Sequence, residues 1–169
     1  MRDHFKMMAG YNAWSNERLY DAAAGLSDAD YRADLGAFFK SVHGTLNHIL
    51  VGDRVWLSRF TGTGPVPTAL DDILYDDFDS LRAARRAEDA RIVRFVDGLD
   101  ADRLASVLRY RALSQPVEVT YPLLPALHHF FNHQTHHRGQ VTALLTRLAV
   151  EAPSVDLVYF NLETGIGLG

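Results

Sequence analysis

The chain contains no cysteine. That excludes a disulfide framework and a thiolate metal site. Any metal must use imidazole, carboxylate or water, and any thiol chemistry must bring its sulfur on a substrate. There is no run of about 18 apolar residues, so no transmembrane helix is expected. Lys and Arg total 17 against 21 Asp and Glu, a net charge of −4, with no clustered basic run. Nucleic acid, which needs such a cluster, is excluded as an expected partner. The N-terminal MRDHFKMMAGYNAW lacks the charged-then-apolar pattern and the cleavage site of a signal peptide. The cytoplasm is therefore the expected compartment. Internal repeats and low-complexity segments are also absent.

What is present suits one domain over residues 1–169, long enough and, at 47% hydrophobic, apolar enough to bury a core. The periodicity predicts four long helices. The first, 3–24, carries Phe5, Met8, Tyr11, Trp14, Leu19 and Ala22 at helical spacing and stops at Gly25. LSDADYRAD, 26–34, reads as a capped turn or short helix. The second long helix, 41–60, starts at Ser41 and ends in FTGTGPVP. After a connection to about residue 77, the third, 78–98, places Leu81, Ala84, Ile92, Phe95 and Val96 opposite its Arg and Glu residues. VLRYRALSQPVEVTYP alternates about Ser114-Gln115-Pro116 and predicts a hairpin, 107–113 with 117–120. The fourth, 123–148, opens among Pro122 and Pro125, which fit a first turn. The tail, 152–169, has no clear pattern. The expected fold class is all-α, a four-helix bundle with a small β-hairpin between the third and fourth long helices.

Eight histidines are unusual for such a chain, and five fall within 128–137. Successive helical residues turn by about 100°, which sorts them. With His137 as reference, Ala126, Phe130, Val141, Leu144 and Leu148 all lie within about 40°. His133 lies about 40° to one side, within the same stripe. His129 and His136 fall on the flank and His128 points away. The stripe prefers His133/His137 over the rival pair His129/His133. On the second helix His48 shares a face with Ser41, Gly44, Thr45, Gly52 and Val55, small residues that admit a neighbouring helix and leave room for imidazole. His43 turns away from that face. His4, His43 and His128 are expected to be solvated.

A lone buried histidine is usually a hydrogen-bonded core residue, and an HxxxH pair often arises by chance. Two inward histidines one turn apart, with a third on a facing helix, argue for more: a three-imidazole site for zinc, nickel, copper or iron. Three protein ligands leave positions open for water or substrate, the catalytic pattern. All three ligands are neutral, so the ion keeps its charge and acidifies what it binds.

The segments SVHGTLNHILVGDRVW and NHQTHHRGQV, with YNAWSNERLYDAA before them, resemble the DinB/YfiT-like family in order and spacing over about residues 3–148. The family name is shared with an unrelated polymerase and implies no polymerase activity. The resemblance implies an up-down-down-up bundle, for which the long 61–77 connection leaves room. It implies a metal held by His48, His133 and His137, the residues that the helix faces select, and a homodimer. It also implies thiol-dependent S-transfer with bacillithiol or mycothiol, or mycothiol-dependent isomerisation, as in characterised relatives.

The expected function is thus a metal-dependent S-transferase or related hydrolase acting on a small molecule. Its cofactor would be a divalent ion, zinc or nickel first, with a low-molecular-weight thiol as cosubstrate. The alternative is a non-catalytic metal-binding stress-response protein. No general acid or base has a firm position. Gln140, about 60° from His137, can reach the site, and His129 and His136 are flank candidates for hydrogen bonds or proton relay. Trp14, Trp56 and Tyr11 are candidates for lining a pocket, with core packing the commoner use. Asp53, about 140° from His48, is expected to cap or pair structurally. Arg138 is expected in a surface or interface ion pair.

Overall fold

The computed structural model describes residues 1–113 and 117–166. Its elements run α1 (Arg2–Ala23), α2 (Asp28–Arg32), α3 (Val42–Thr61), α4 (Phe78–Asp97), α5 (Ala101–Leu104), β1 (Val107–Arg111), β2 (Glu118–Pro122), α6 (Leu123–Arg147) and α7 (Leu157–Thr164). The chain is mostly helical, with one two-stranded antiparallel sheet. The four long helices lie within one residue of their expected bounds. The punctuation behind them is local. Ser41 Oγ accepts from the Gly44 amide at 3.0 Å, and Asp77 caps α4 in the same way. Gly62 closes α3 in the left-handed region at φ 72°, where a side chain would be strained. Among the described residues no helix is long and apolar enough to cross a membrane.

The hairpin and the tail differ from expectation. The hairpin pairs Val107 with Pro122 through to Arg111 with Glu118, so its second strand runs directly into α6, fastened by the Leu123 amide on the Ser106 carbonyl at 2.9 Å. The expected turn at Ser114-Gln115-Pro116 lies outside the described residues. The patternless tail contains α7, whose single buried residue, Phe160, packs edge-on against Tyr11 and Trp14 of α1. One buried side chain gives no periodicity to read, so this helix was not visible from pattern.

Each of α1 and α3 packs on both α4 and α6. The enclosed core is divided. One apolar cluster, with Phe5, Phe60, Ile92 and Phe130, fills the hairpin end. A second, with Tyr20, Leu46, Leu81 and Leu144, fills the other end. Between them lies a buried polar layer. Asp53 of α3 receives Arg85 of α4 at 2.5 Å and Gln134 Nε2 of α6 at 2.7 Å. Asp89 pairs with Arg85 at 3.0 Å and accepts from Asn12 and Asn16 of α1, each at 3.0 Å. Arg138 of α6 closes the circuit by donating to the Asn12 side-chain oxygen. Asp53 and Gln134 are 0% exposed and Arg85 2%.

Contacts along α3 and α4 advance together: Asp53 meets Arg85, then Phe60 stacks on Phe95. Along α3 and α6 they run in opposite order, with His48 near His137, Asp53 on Gln134 and Phe60 against Phe130.

Burial pushes the Asp53 carboxyl up to about 6 against the opposing pull of Arg85 and Gln134. Burial also disfavours the Arg85 charge, but the neighbouring Asp89 and Asp53 more than offset it. The guanidinium keeps its proton, and the layer at neutral pH is a set of buried ion pairs. Removing one partner leaves an uncompensated buried charge, a cost of about 3–5 kcal/mol. Arg85→Met should lower unfolding free energy by about that much in urea titrations, with part regained when Asp53→Asn is added. A loss below about 1 kcal/mol would show that the layer is not held as ion pairs.

Candidate metal centre

His48 lies about two turns into α3, and His133 and His137 one turn apart on α6. Gly52, one turn after His48, lets the two helices meet at this height. A Cβ there would sit 2.8 Å from His133 Cε1, so a side chain would displace that ring. The small-residue face read from the sequence thus receives an imidazole from the facing helix.

The three rings converge through their Nε2 atoms. His48 Nε2 and His137 Nε2 are 3.2 Å apart, and His137 Nε2 and His133 Nε2 3.1 Å apart. Donor atoms from all three lie within 4.8 Å of one another, and among the described residues this is the group of three or more suited to holding an ion. Four tetrahedral ligands at about 2.0–2.1 Å from an ion stand about 3.3–3.4 Å apart, close to the two separations seen.

The outer nitrogens decide what the inner ones carry. His48 Nδ1 lies 2.7 Å from the Leu70 carbonyl oxygen, which can only accept, so Nδ1 holds the proton. His137 Nδ1 likewise lies 2.7 Å from Gln140 Oε1. In neutral rings both Nε2 atoms then present lone pairs, and at 3.2 Å two lone pairs repel unless a cation lies between them. A proton is a poor candidate. Burial, opposed by the Leu70 contact, pushes His48 down to about 4. Burial and then the neighbouring His137 and His48 push His133 down to about 3. Burial lowers His137 too, against the opposing hydrogen bond that it donates to Gln140. The donor set fits a divalent ion that prefers neutral nitrogen ligands. Carbonyl partners on the outer nitrogens fix ring orientation as metal-binding histidines require.

The surroundings are unequal. On one side Phe39, from the loop before α3, stacks on His48 with centroids 3.7 Å apart. On another, His48 and His133 border a cavity of about 260 Å³ that His129 and Trp56 also line. Beneath, Asp53 and Gln134 of the polar layer lie within five residues of the three histidines along the chain.

The other sequence candidates separate. Gln140 orients His137 directly. His136 is exposed, with its ring edge-on to His137 at 4.8 Å and the Gln140 amide at 3.4 Å. His129 stands against Trp56 at 5.0 Å and 5.8 Å from the His133 ring, without a hydrogen bond to either. Trp56 lines the cavity, whereas Tyr11 and Trp14 pack beneath α7 and the C-terminal segment, bonding the Val155 carbonyl and Glu163. Asp53 pairs structurally. His4 and His128 are exposed.

Two expectations are corrected. His43 is buried, not solvated: α2 and the 61–77 connection fold over it, with the Tyr75 carbonyl 3.1 Å from Nε2 and the Tyr31 ring edge-on. Arg138 is 2% exposed rather than at the surface. Its face of α6 is covered by α1, where it donates to Asn12 and lies 5.0 Å over the Tyr11 ring. Sequence reasoning missed Leu70 and Phe39, which reach the site from loops, and Gln134. The first two leave no periodic signal; Gln134, a polar residue set among Leu127, Phe130, Val141 and Leu145 on that side of α6, does.

The model of the DinB family matches residues 1–165. Protein DinB of Bacillus subtilis (strain 168) is 23% identical over 171 residues, covering 92% of this chain and 92% of that protein. The crystal structure of a DinB-like protein from Bacillus cereus ATCC 10987 superposes with a TM-score of 0.65 at 20% identity, over 84% of this chain and 91% of that one.

The depressed histidines make a signed prediction for the protein freed of metal. Between about pH 6.5 and 3 the unfolded chain binds a proton at His133 that the folded chain refuses, so this group's contribution to stability is present above pH 6.5 and is lost as pH falls. Glutamine at that position cannot titrate. In chelated protein the melting temperature of His133→Gln should fall less between pH 7 and pH 4.5 than that of the wild type. Parallel decreases would mean that His133 is not held neutral by the fold.

Proposed function

The chain belongs to the DinB family, and from that premise we propose that it is a metal-dependent enzyme whose ion is held by His48, His133 and His137. The observation that carries this reading is the pair of outer nitrogens committed to the Leu70 and Gln140 oxygens, which leaves lone pairs facing one another in a buried pocket. A divalent ion there, zinc or nickel first, supplies a Lewis acid that ionises a thiol or a water at neutral pH.

The reaction class we favour is S-transfer from a low-molecular-weight thiol to a small electrophile, with hydrolysis as the closest relative. The chain has no sulfur nucleophile of its own, so the thiol would arrive as cosubstrate. The cavity beside the rings gives such a molecule access, which favours an enzyme over a non-catalytic metal-binding protein. Phe39 shields the opposite side of His48 from water, and Gln140 and Leu70 hold two rings in their coordinating orientation. His129, in the cavity wall, is a side chain able to exchange a proton with a bound molecule. The order of the helix contacts supports the up-down-down-up bundle as the frame, with α3 and α4 parallel. A homodimer belongs to the same reading, for which exposed Val158, Tyr159 and Leu162 on α7 offer apolar surface. Sedimentation that gave monomer alone at high micromolar concentration would remove it.

Purified without a histidine tag, the protein should contain close to one equivalent of metal. Chelation should lower its melting temperature, because an ion bound only by the folded state stabilises it. Gln140→Leu should weaken metal binding about 10–100-fold, the usual effect of losing an orienting partner. Small thiols screened against monochlorobimane should react faster with the metal-loaded wild type than with His133→Ala. Equal rates would sink the transferase reading, and less than about one-tenth equivalent of metal, not restored by added zinc or nickel, would sink the site.

A further inference from the structure

The cavity beside the three histidines adjoins a second, of about 330 Å³, which runs out along the hairpin. The two share Val55, Arg59, Tyr110 and Leu113. Arg59 therefore stands between them. Its guanidinium lies 4.6 Å over the Trp56 ring and 4.1 Å over the Tyr110 ring. Two aromatic faces fix its plane and leave its fork of N–H donors free at the edges.

The charge inventory is one-sided. The outer cavity is lined by Arg59, Arg109 and Arg111, and the inner by Arg59 with His48, His129 and His133. Among the described residues neither lining contains an Asp or Glu, in a chain whose net charge is −4. Arg109 and Arg111 alternate on β1 and so project from one face of the strand. None of the three arginines makes an ion pair or a side-chain hydrogen bond among the described residues. Glu118 lies opposite Arg111 in the strand register and forms no ion pair with it. Elsewhere Arg18, Arg32, Arg82, Arg85, Arg86 and Arg91 bind carboxylates, while Arg2 and Arg103 donate to backbone carbonyls and Arg138 to Asn12. Burial disfavours the Arg59 charge, and among the described residues no carboxylate offsets that cost.

We propose that Arg59 is the anchor for a carboxylate group of the small molecule that this site takes, with Arg109 and Arg111 drawing that anion in along the hairpin. This rests on the reading of the three histidines as the reactive centre and adds the class of ligand. The molecule is a small organic acid that sets its carboxylate on the Arg59 fork and extends toward the imidazoles. The rings of Trp56 and Tyr110 hold the guanidinium in place before the ligand arrives, so the donors are already oriented. A guanidinium fork matches two carboxylate oxygens, and charge-assisted hydrogen bonds are the strong ones.

Succinate serves as the probe, with succinamide as its neutral counterpart of the same shape and inorganic phosphate as the competing anion. Trp56 reports binding by fluorescence in a Trp14→Phe background, in which it is the sole tryptophan. Titrations are run on the full chain as purified and after chelation, so that carboxylate bound to the ion is separated from carboxylate bound to Arg59. Succinate should bind in both states and succinamide in neither. Arg59→Gln should weaken succinate at least about tenfold, about 1.4 kcal/mol, while keeping the metal content and helical circular dichroism of the wild type. Arg109→Gln, an exposed change that spares the fold, should slow association and flatten its salt dependence with little change in dissociation. Equal binding of succinate and succinamide, or an Arg59→Gln variant that melts earlier yet binds succinate as the wild type does, would overturn the anchor. Tighter binding of phosphate than of succinate would overturn the carboxylate. Protein that holds no metal as purified and takes up no added zinc or nickel, yet binds succinate through Arg59, would keep this inference and remove the metal reading; metal-loaded protein indifferent to succinate would do the reverse.

Discussion

The buried carboxylate of Asp53 is the point through which three of the four long helices are fixed. It comes from α3 and is held by Arg85 of α4 and Gln134 of α6. Apolar contacts do not set a register well, since leucine and isoleucine accept many neighbours. A buried ion pair accepts few, because any slip leaves a charge without its partner. The register fixed here is the one the histidines need. His48 lies five residues before Asp53, and His137 three after Gln134, on antiparallel stretches that bring both to the same height. The layer contributes geometry, and the two apolar clusters on either side contribute most of the stability.

The layer and the site solve opposite electrostatic problems. Asp53, Asp89, Arg85 and Arg138 carry two charges of each sign within one buried network, so their desolvation is compensated in place. The three imidazoles are opposed only by the minor pull of Asp71 on His48, and burial holds them neutral. Neutral rings with oriented lone pairs are what a cation binds. A carboxylate beside them would have raised their proton affinity and made protons the competitor. Keeping Asp53 on the far face of α3, engaged with Arg85, keeps it away from the rings.

Most of the site was legible because it depends on single-helix geometry. That His133 and His137 share the apolar stripe, and that His48 shares a face with Gly44 and Gly52, follows from the angular step alone. So does the separation of Asp53 from His48. What lay hidden depends on chain segments returning from elsewhere. The Leu70 carbonyl is a backbone atom in an irregular connection, and Phe39 sits in a loop. His43 and Arg138 were misplaced for a related reason. Face arithmetic treats whatever lies off the main stripe as solvent, but α6 is covered by α1 as well as α3, and the start of α3 by α2 and the 61–77 connection. α7 was invisible because one buried phenylalanine makes no pattern.

The distribution of arginine ties these threads together. All but Lys6 and Lys40 of the 17 basic residues are arginine. Arginine cannot shed its proton to escape burial, so each must find an anion, an aromatic face or water. In the polar layer the anions are resident, and the result is a fixed bundle. On the outer face of α1 and α4, Glu17 answers both Arg82 and Arg86. At the cavity the aromatic faces are supplied by Trp56 and Tyr110, but the anion is not. A half-buried guanidinium oriented by two rings and left without a carboxylate is a costly arrangement if its only task is to hold the fold. The cost is recovered when the anion comes from outside, next to three nitrogens that face an ion's position. The same residue type thus locks the core where its partner is built in and opens a binding site where its partner is left out.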